Sequence, residues 1–131
     1  MARILVVEDH PETQLALSIR LRSAGHEVVT ADDGDTGLRL ARQLKPDLIV
    51  LDVMLPKLDG FHVCRLLKYD DRYADIPVIM LTGKATPKDR DLGLSVGADV
   101  YLTKPIDHRK LLAVIDGLLK ARQPATAQAD N

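Results

Sequence analysis

Four short stretches of the chain are apolar with no polar alternation: Ile4 to Val7 (ILVV), Asp47 to Leu51 (DLIVL, after its leading acid), Ile76 to Leu81 (IPVIML) and Val100 to Leu102 (VYL). Glu27 to Ala31 (EVVTA) is a weaker fifth. A strand with one wet face alternates polar and apolar residues. A strand that does not alternate is covered on both faces, as in a parallel sheet flanked by helices.

The segments between these runs carry helical spacing. Leu17, Leu21 and Ala24 fall at i, i+4 and i+7, with Leu15 and Ile19 read as broadening the stripe and Gly25 as the stop. Leu38, Ala41 and Leu44 mark a second helix ahead of Pro46. Phe61, Cys64, Leu67 and Lys68 mark a third, in which Cys64 reads as a small buried hydrophobe. A fourth starts near Pro87 and ends near Gly97. Leu111, Val114, Ile115, Leu118 and Leu119 define the fifth, with Asp107 as its N-cap. Five strands alternating with five helices predict a single α/β domain with right-handed crossovers. The chain's 131 residues hold one such domain, expected over residues 1–121. Residues 122–131 lose periodicity and read as a flexible tail or linker stub.

Composition narrows the functional classes. A formal net charge of −1 gives no global attraction to nucleic acid or anionic lipid, and an aromatic content of 3% gives little for stacking bases. Direct nucleic-acid binding by this domain is therefore not expected. No apolar run reaches the length of a membrane span, and Met1-Ala2-Arg3 leads straight into a core-like strand rather than a signal peptide. The single cysteine, Cys64, excludes an internal disulfide, and a cytoplasmic location is the natural expectation.

In an open parallel sheet, ligands bind beyond the carboxyl ends of the strands. The first strand runs into Glu8-Asp9, the third into Asp52, the fourth into Thr82 and the fifth into Thr103-Lys104-Pro105. Taken singly, the acids read as helix caps or turn formers, Thr82 as a β-former and Lys104 as a solvated charge. Taken together, three carboxylates, a hydroxyl and an ammonium converge on one edge. Carboxylates this close raise one another's pKa unless a cation intervenes, and an all-oxygen site suits Mg²⁺. The four histidines, His10, His26, His62 and His108, are scattered and read as surface or capping residues. With a divalent ion present, Asp52 can attack a phosphoryl group in line, while Lys104 and Thr82 meet its oxygens.

The motifs VVED at 6–9, LDVMLPKLDGF at 51–61, VIMLTG at 78–83 and YLTKPI at 101–106 resemble those of response-regulator receiver domains, in family order and over about residues 3 to 121. The resemblance implies a flavodoxin-like (βα)5 fold with strand order 2-1-3-4-5 and helices on both faces. It also implies phosphorylation by a histidine kinase or histidine phosphotransfer protein. Glu8 and Asp9 match the metal-binding acidic pair, with Asp52 completing the Mg²⁺ ligands beside the backbone carbonyl of Met54. Asp52 matches the phosphoacceptor, while Thr82 and Lys104 match the residues that read the phosphoryl group. Tyr101 matches the aromatic switch partner of Thr82, expected to turn into space that a shift of Thr82 opens. The peptide bond before Pro105 is usually cis in the family. Glu8 in place of the commoner Asp, and Gly83 in place of Ala, are the departures.

The residues bear on three rival readings. A haloacid-dehalogenase-like phosphatase requires a second Asp two positions after the nucleophile, where Met54 stands. A flavin-binding module requires a phosphate cradle where this chain has EDHPET. A phosphate-independent protein-interaction scaffold is the alternative that intact Glu8, Asp9, Asp52, Thr82 and Lys104 disfavour. The chain is thus not expected to be an enzyme beyond its own phosphorylation and dephosphorylation. Its output is expected through the face of helix 4, strand 5 and helix 5, onto a downstream protein or output domain. Its oligomeric state is expected to be a monomer or a phosphorylation-dependent dimer.

Overall fold

The computed structural model describes residues 2–122. Five strands, β1 (Arg3–Val7), β2 (Glu27–Ala31), β3 (Leu48–Leu51), β4 (Val78–Thr82) and β5 (Val100–Thr103), alternate with five helices. These are α1 (Pro11–Ser23), α2 (Gly34–Leu44), α3 (Gly60–Lys68), α4 (Pro87–Ser95) and α5 (His108–Arg122). The strands form one parallel sheet in the order β2-β1-β3-β4-β5, as expected of a flavodoxin-like domain. The expected tail lies, from residue 123 onward, outside the described residues, and α5 itself reaches Arg122. Among the described residues no helix is long and apolar enough to cross a membrane.

Unbroken apolar runs are what a two-sided core needs. Leu5, Val7, Ile49, Leu51 and Met80 point to one face, where they pack with Leu38 and Ala41 of α2 and Val63, Cys64 and Leu67 of α3. Ile4, Val6, Leu48, Val50, Ile79 and Leu81 point to the other, against Leu17 and Leu21 of α1 and Leu111 and Ile115 of α5. Full burial of each such side chain stabilises by roughly 1.5–3 kcal/mol, so the sheet's two faces hold most of the folding free energy.

The expected stripe on α1 is too broad. Leu15 and Ile19 are exposed, at 59% and 53%, while Leu17 and Leu21 are buried and Ala24 lies beyond the helix end. Residues two apart on a helix differ by about 200° in direction, so Leu15 and Ile19 face away from Leu17. The β4 run also begins later than its apolar residues suggest, at Val78, because Pro77 has no N–H to donate to a ladder. The remaining signals hold. Gly25 and Gly97 take positive φ just past α1 and α4, and Asp107 Oδ1 accepts from the Arg109 amide at 2.9 Å to cap α5.

Lys68 closes α3, as the helical pattern predicts, and carries a further contact that the pattern does not show. Its ammonium sits at the opposite end of the sheet from the acids, donating to the carbonyls of Ala74 (3.1 Å) and Ile76 (2.7 Å) and to Asp99 (2.9 Å). Asp99 in turn accepts from the Val78 amide at 2.8 Å, so one lysine ties the end of α3 to the starts of β4 and β5. Replacing it with methionine keeps the bulk and strands the acceptors. Lys68→Met is expected to lower stability by about 2–4 kcal/mol, read as a fall in the urea midpoint at unchanged slope. A shift within error would show that the clip is not structural.

Candidate functional site

Backbone hydrogen bonds carry the sheet one residue beyond the strands and thereby fix the side chains that follow. The Glu8 amide donates to the Ala31 carbonyl at 3.0 Å, the Asp52 amide to Val7 at 3.0 Å and the Lys104 amide to Thr82 at 2.8 Å. Glu8, Asp52 and Lys104 therefore project from rigid strand ends. Gly60 lets the β3–α3 loop close over Asp52, since a Cβ there would lie 2.1 Å from the Asp52 carbonyl oxygen. The Lys104–Pro105 peptide bond is cis.

The side chains meet as a compact charged cluster. The Lys104 ammonium donates to Glu8 Oε1 and, at 3.0 Å, to Asp52 Oδ2. Both acids are buried, Glu8 at 2% and Asp52 at 5% exposure. The other Asp52 oxygen accepts from the amides of Val53 (2.6 Å) and Met54 (3.3 Å), while the Met54 side chain lies exposed. Burial pulls the Lys104 pKa down, but its hydrogen bonds to Glu8 and Asp52 outweigh this and hold it above the ordinary lysine value. Three carboxylates against one ammonium leave two formal negative charges uncompensated at this edge.

Two features of the cluster suit a divalent cation. One oxygen each of Glu8, Asp9 and Asp52, with a ring nitrogen of His10, lie within 4.8 Å of one another. Asp9 Oδ1 is buried and, among the described residues, accepts no hydrogen bond. A buried carboxylate oxygen normally has a partner, and a metal ion is one that fits here. His10 is the exposed N-cap residue of α1, in line with a surface or capping histidine, and its Nδ1 also lies 3.2 Å from Glu8 Oε2. The fold turns its ring back over the acidic pair. Gln14 was missed: its amide nitrogen reaches the carbonyl of Glu8 at 2.9 Å and Asp32 Oδ1 at 2.8 Å, bracing the loop that carries the acids.

Thr82 and Tyr101 lie beside this cluster. Thr82 is fully buried, and its hydroxyl oxygen accepts from the Lys84 amide at 3.3 Å. The Tyr101 hydroxyl donates to the Lys84 carbonyl at 2.6 Å. One residue, Lys84, thus joins the two through its own N–H and C=O. The Tyr101 ring is buried, at 2% exposure. Gly93 of α4 makes the room: a Cβ at that position would lie 2.6 Å from Tyr101 Cδ2 and 3.1 Å from Met80 Sδ. Burial, aided by the nearby charges of Asp89 and Asp52, pushes the Tyr101 phenol above its ordinary pKa.

A family profile for the response regulator receiver domain matches residues 4–116, and the chain belongs to that family. RpaA of Synechocystis sp., a DNA-binding dual master transcriptional regulator, is 51% identical over 120 residues, which cover 92% of this chain and 50% of RpaA. PilH of Pseudomonas aeruginosa is 43% identical over 119 residues, covering 91% of this chain and 98% of PilH. The solved receiver domain of the Francisella response regulator 1452 is similar with a TM-score of 0.88 at 28% identity, covering 94% of this chain and 100% of that one. The chain therefore spans about half the length of RpaA and nearly all of PilH. Receiver domains of this family serve two-component signalling, with phosphorylation and Mg²⁺ binding as general features.

Two outcomes follow from this geometry. Lys104→Met, which leaves Glu8 and Asp52 buried without a counter-charge, is expected to cost the metal-free protein about 2–4 kcal/mol in urea titrations with EDTA. An unchanged midpoint would mean the ammonium does not hold the acids together. Gly93→Ala is expected to expel the Tyr101 ring, returning its phenol toward the ordinary tyrosine pKa. An ultraviolet pH titration would then show one more tyrosine ionising early; a curve identical to wild type would contradict the packing.

Proposed function

We propose that the chain is a phosphoryl-accepting switch in which Asp52 takes the phosphoryl group from a phosphohistidine of a histidine kinase or histidine phosphotransfer protein. The observation that carries this reading is the setting of Asp52. It is a buried carboxylate on a rigid strand end, with Lys104 on one oxygen and the acidic pair of the β1 edge beside it. In the proposed transfer an Asp52 oxygen bonds to phosphorus as the phosphorus–nitrogen bond breaks, and the leaving imidazole takes up a proton. Mg²⁺, held by Glu8, Asp9, Asp52 and the Met54 backbone carbonyl, supplies neutralisation of the charge on the transferring group. Lys104 leaves its carboxylate partners for a phosphoryl oxygen, and the Thr82 hydroxyl donates to another.

Approach is open from one side. A groove lined by Thr13 and Ala16 of α1 and by Pro105 and Ile106 after β5 runs up to Lys104, and it offers a histidine-bearing helix a path to the site. The output reading uses the α4–β5–α5 face. Phosphorylation places roughly two negative charges on Asp52, draws Thr82 and, through Lys84, fixes Tyr101 in the pocket it already occupies. Leu92 and Leu94 of α4 lie exposed on that helix, where a change of α4 position would be felt by a downstream protein or output domain. The receiver unit is taken as residues 1–121, working in the cytoplasm as a monomer or phosphorylation-dependent dimer. It passes its signal through protein contacts without touching nucleic acid itself and is not an enzyme acting on a separate substrate.

The test is intact mass after incubation with acetyl phosphate and Mg²⁺, and separately with a phosphorylated histidine kinase, on wild type and Asp52→Asn. A phosphoryl adduct on wild type that needs Mg²⁺ and is absent from the variant is expected. No adduct from either donor would leave the phosphate-independent scaffold as the better reading.

A further inference from the structure

The outer surface of α1 carries a stripe that the domain itself leaves uncovered. Glu12, Leu15, Ile19 and Arg22 follow one another at spacings of three, four and three residues. On an α-helix they fall within an arc of about 80°, turned away from the buried Leu17 and Leu21. All four are exposed, and Leu15 and Ile19 rank among the most exposed large apolar side chains of the fold. Among the described residues neither Glu12 nor Arg22 forms an ion pair. Arg22 makes one long hydrogen bond, 3.4 Å to the Val28 carbonyl, which leaves most of its donors free.

We propose that this stripe is a self-association face, and that its occupant is α1 of a second copy of the chain lying antiparallel to it. The spacing is that of a coiled-coil seam, with the apolar pair inside and a charge at either end. The stripe is also its own complement. With a two-fold axis opposite Leu17, Leu15 meets the partner's Ile19 and Ile19 meets the partner's Leu15. The same axis sets Glu12 against the partner's Arg22 and Arg22 against the partner's Glu12. A parallel pairing would set acid on acid and base on base, so charge selects the antiparallel order. The seam is short, about 15 Å from end to end at the α-helical rise. It covers far less than the ~1,200 Å² of a stable complex, so the pairing is weak, with a dissociation constant of roughly 0.1–1 mM. A dilute chain is then a monomer. The pairing uses neither the Asp52 cluster nor the α4–β5–α5 face, and it requires no phosphoryl group.

The test is sedimentation equilibrium of the full chain at low salt and without phosphoryl donor, up to about 1 mM, where the expected dimer is populated. The samples are wild type, Leu15→Ser, Glu12→Arg, Arg22→Glu and an equimolar mixture of the last two. Wild type is expected to show a monomer–dimer equilibrium, which Leu15→Ser weakens. Glu12→Arg gives two copies that are basic at both ends, and Arg22→Glu two that are acidic at both ends. Each alone is expected to associate roughly fivefold or more weakly than wild type. Mixed, the two are expected to pair at least as well as wild type, because each supplies the charge the other lacks. Recovery on mixing cannot come from repaired folding, since each chain keeps its own substitution. A wild type that stays monomeric throughout would overturn the inference. So would an association that Leu15→Ser leaves unchanged, or a mixture that associates no better than its components.

Discussion

Two carboxylates stand side by side in the buried edge of this sheet because the Lys104 ammonium stands between them. Removing Glu8 and Asp52 from water is costly, and their mutual repulsion adds to the cost. The ammonium reaches both, yet it is supplied by a residue nearly a hundred positions away in sequence. Only the strand order brings them together. β1 lies between β2 and β3, β3 pairs with β4, and β4 with β5, so the carboxyl ends of β1, β3 and β5 rim one edge. With Asp9 counted, the single ammonium leaves the cluster two formal charges short of neutrality, which suits it to the divalent ion of the proposed function.

How far the sequence foretold this depends on which forces set each feature. The strands were legible because burial on both faces demands uninterrupted apolar residues, and Ile4 to Val7 can do little else. The site acids were legible for a related reason. Once a strand end is located, the next residue is fixed at the sheet's edge, as the amides of Glu8, Asp52 and Lys104 demonstrate by continuing the ladder. Where side chains reach across between elements, the pattern was silent. Lys68 looked like part of a helical stripe and proved to be a clip between three segments. Gln14 looked like an ordinary polar helix residue, although its amide braces the loop that carries the acids. His10 belongs with these two. Its ring direction is a property of the folded loop and not of any spacing. Leu15 and Ile19 are a different kind of miss, since helix geometry alone places them opposite Leu17.

The burial of Tyr101 bears on what the proposed switch requires. If the pocket had to be opened, the incoming group would need to supply the cost of creating it. Gly93 has already left the space, and the Lys84 carbonyl already holds the phenol. Since Lys84 also donates its amide to Thr82, a pull on Thr82 is transmitted to the same residue that anchors the tyrosine. Under the proposed switch, phosphorylation then deepens an existing minimum. A coupling of about 1–3 kcal/mol is enough to shift two populations by roughly 5- to 150-fold, well short of the 5.5 kcal/mol or so that full reversal from 1:99 to 99:1 requires. On that proposal the output is graded, with some of the switched form present before any phosphate arrives. On the same proposal the resting level follows how closely α4 packs over the ring, which the glycine on α4 permits.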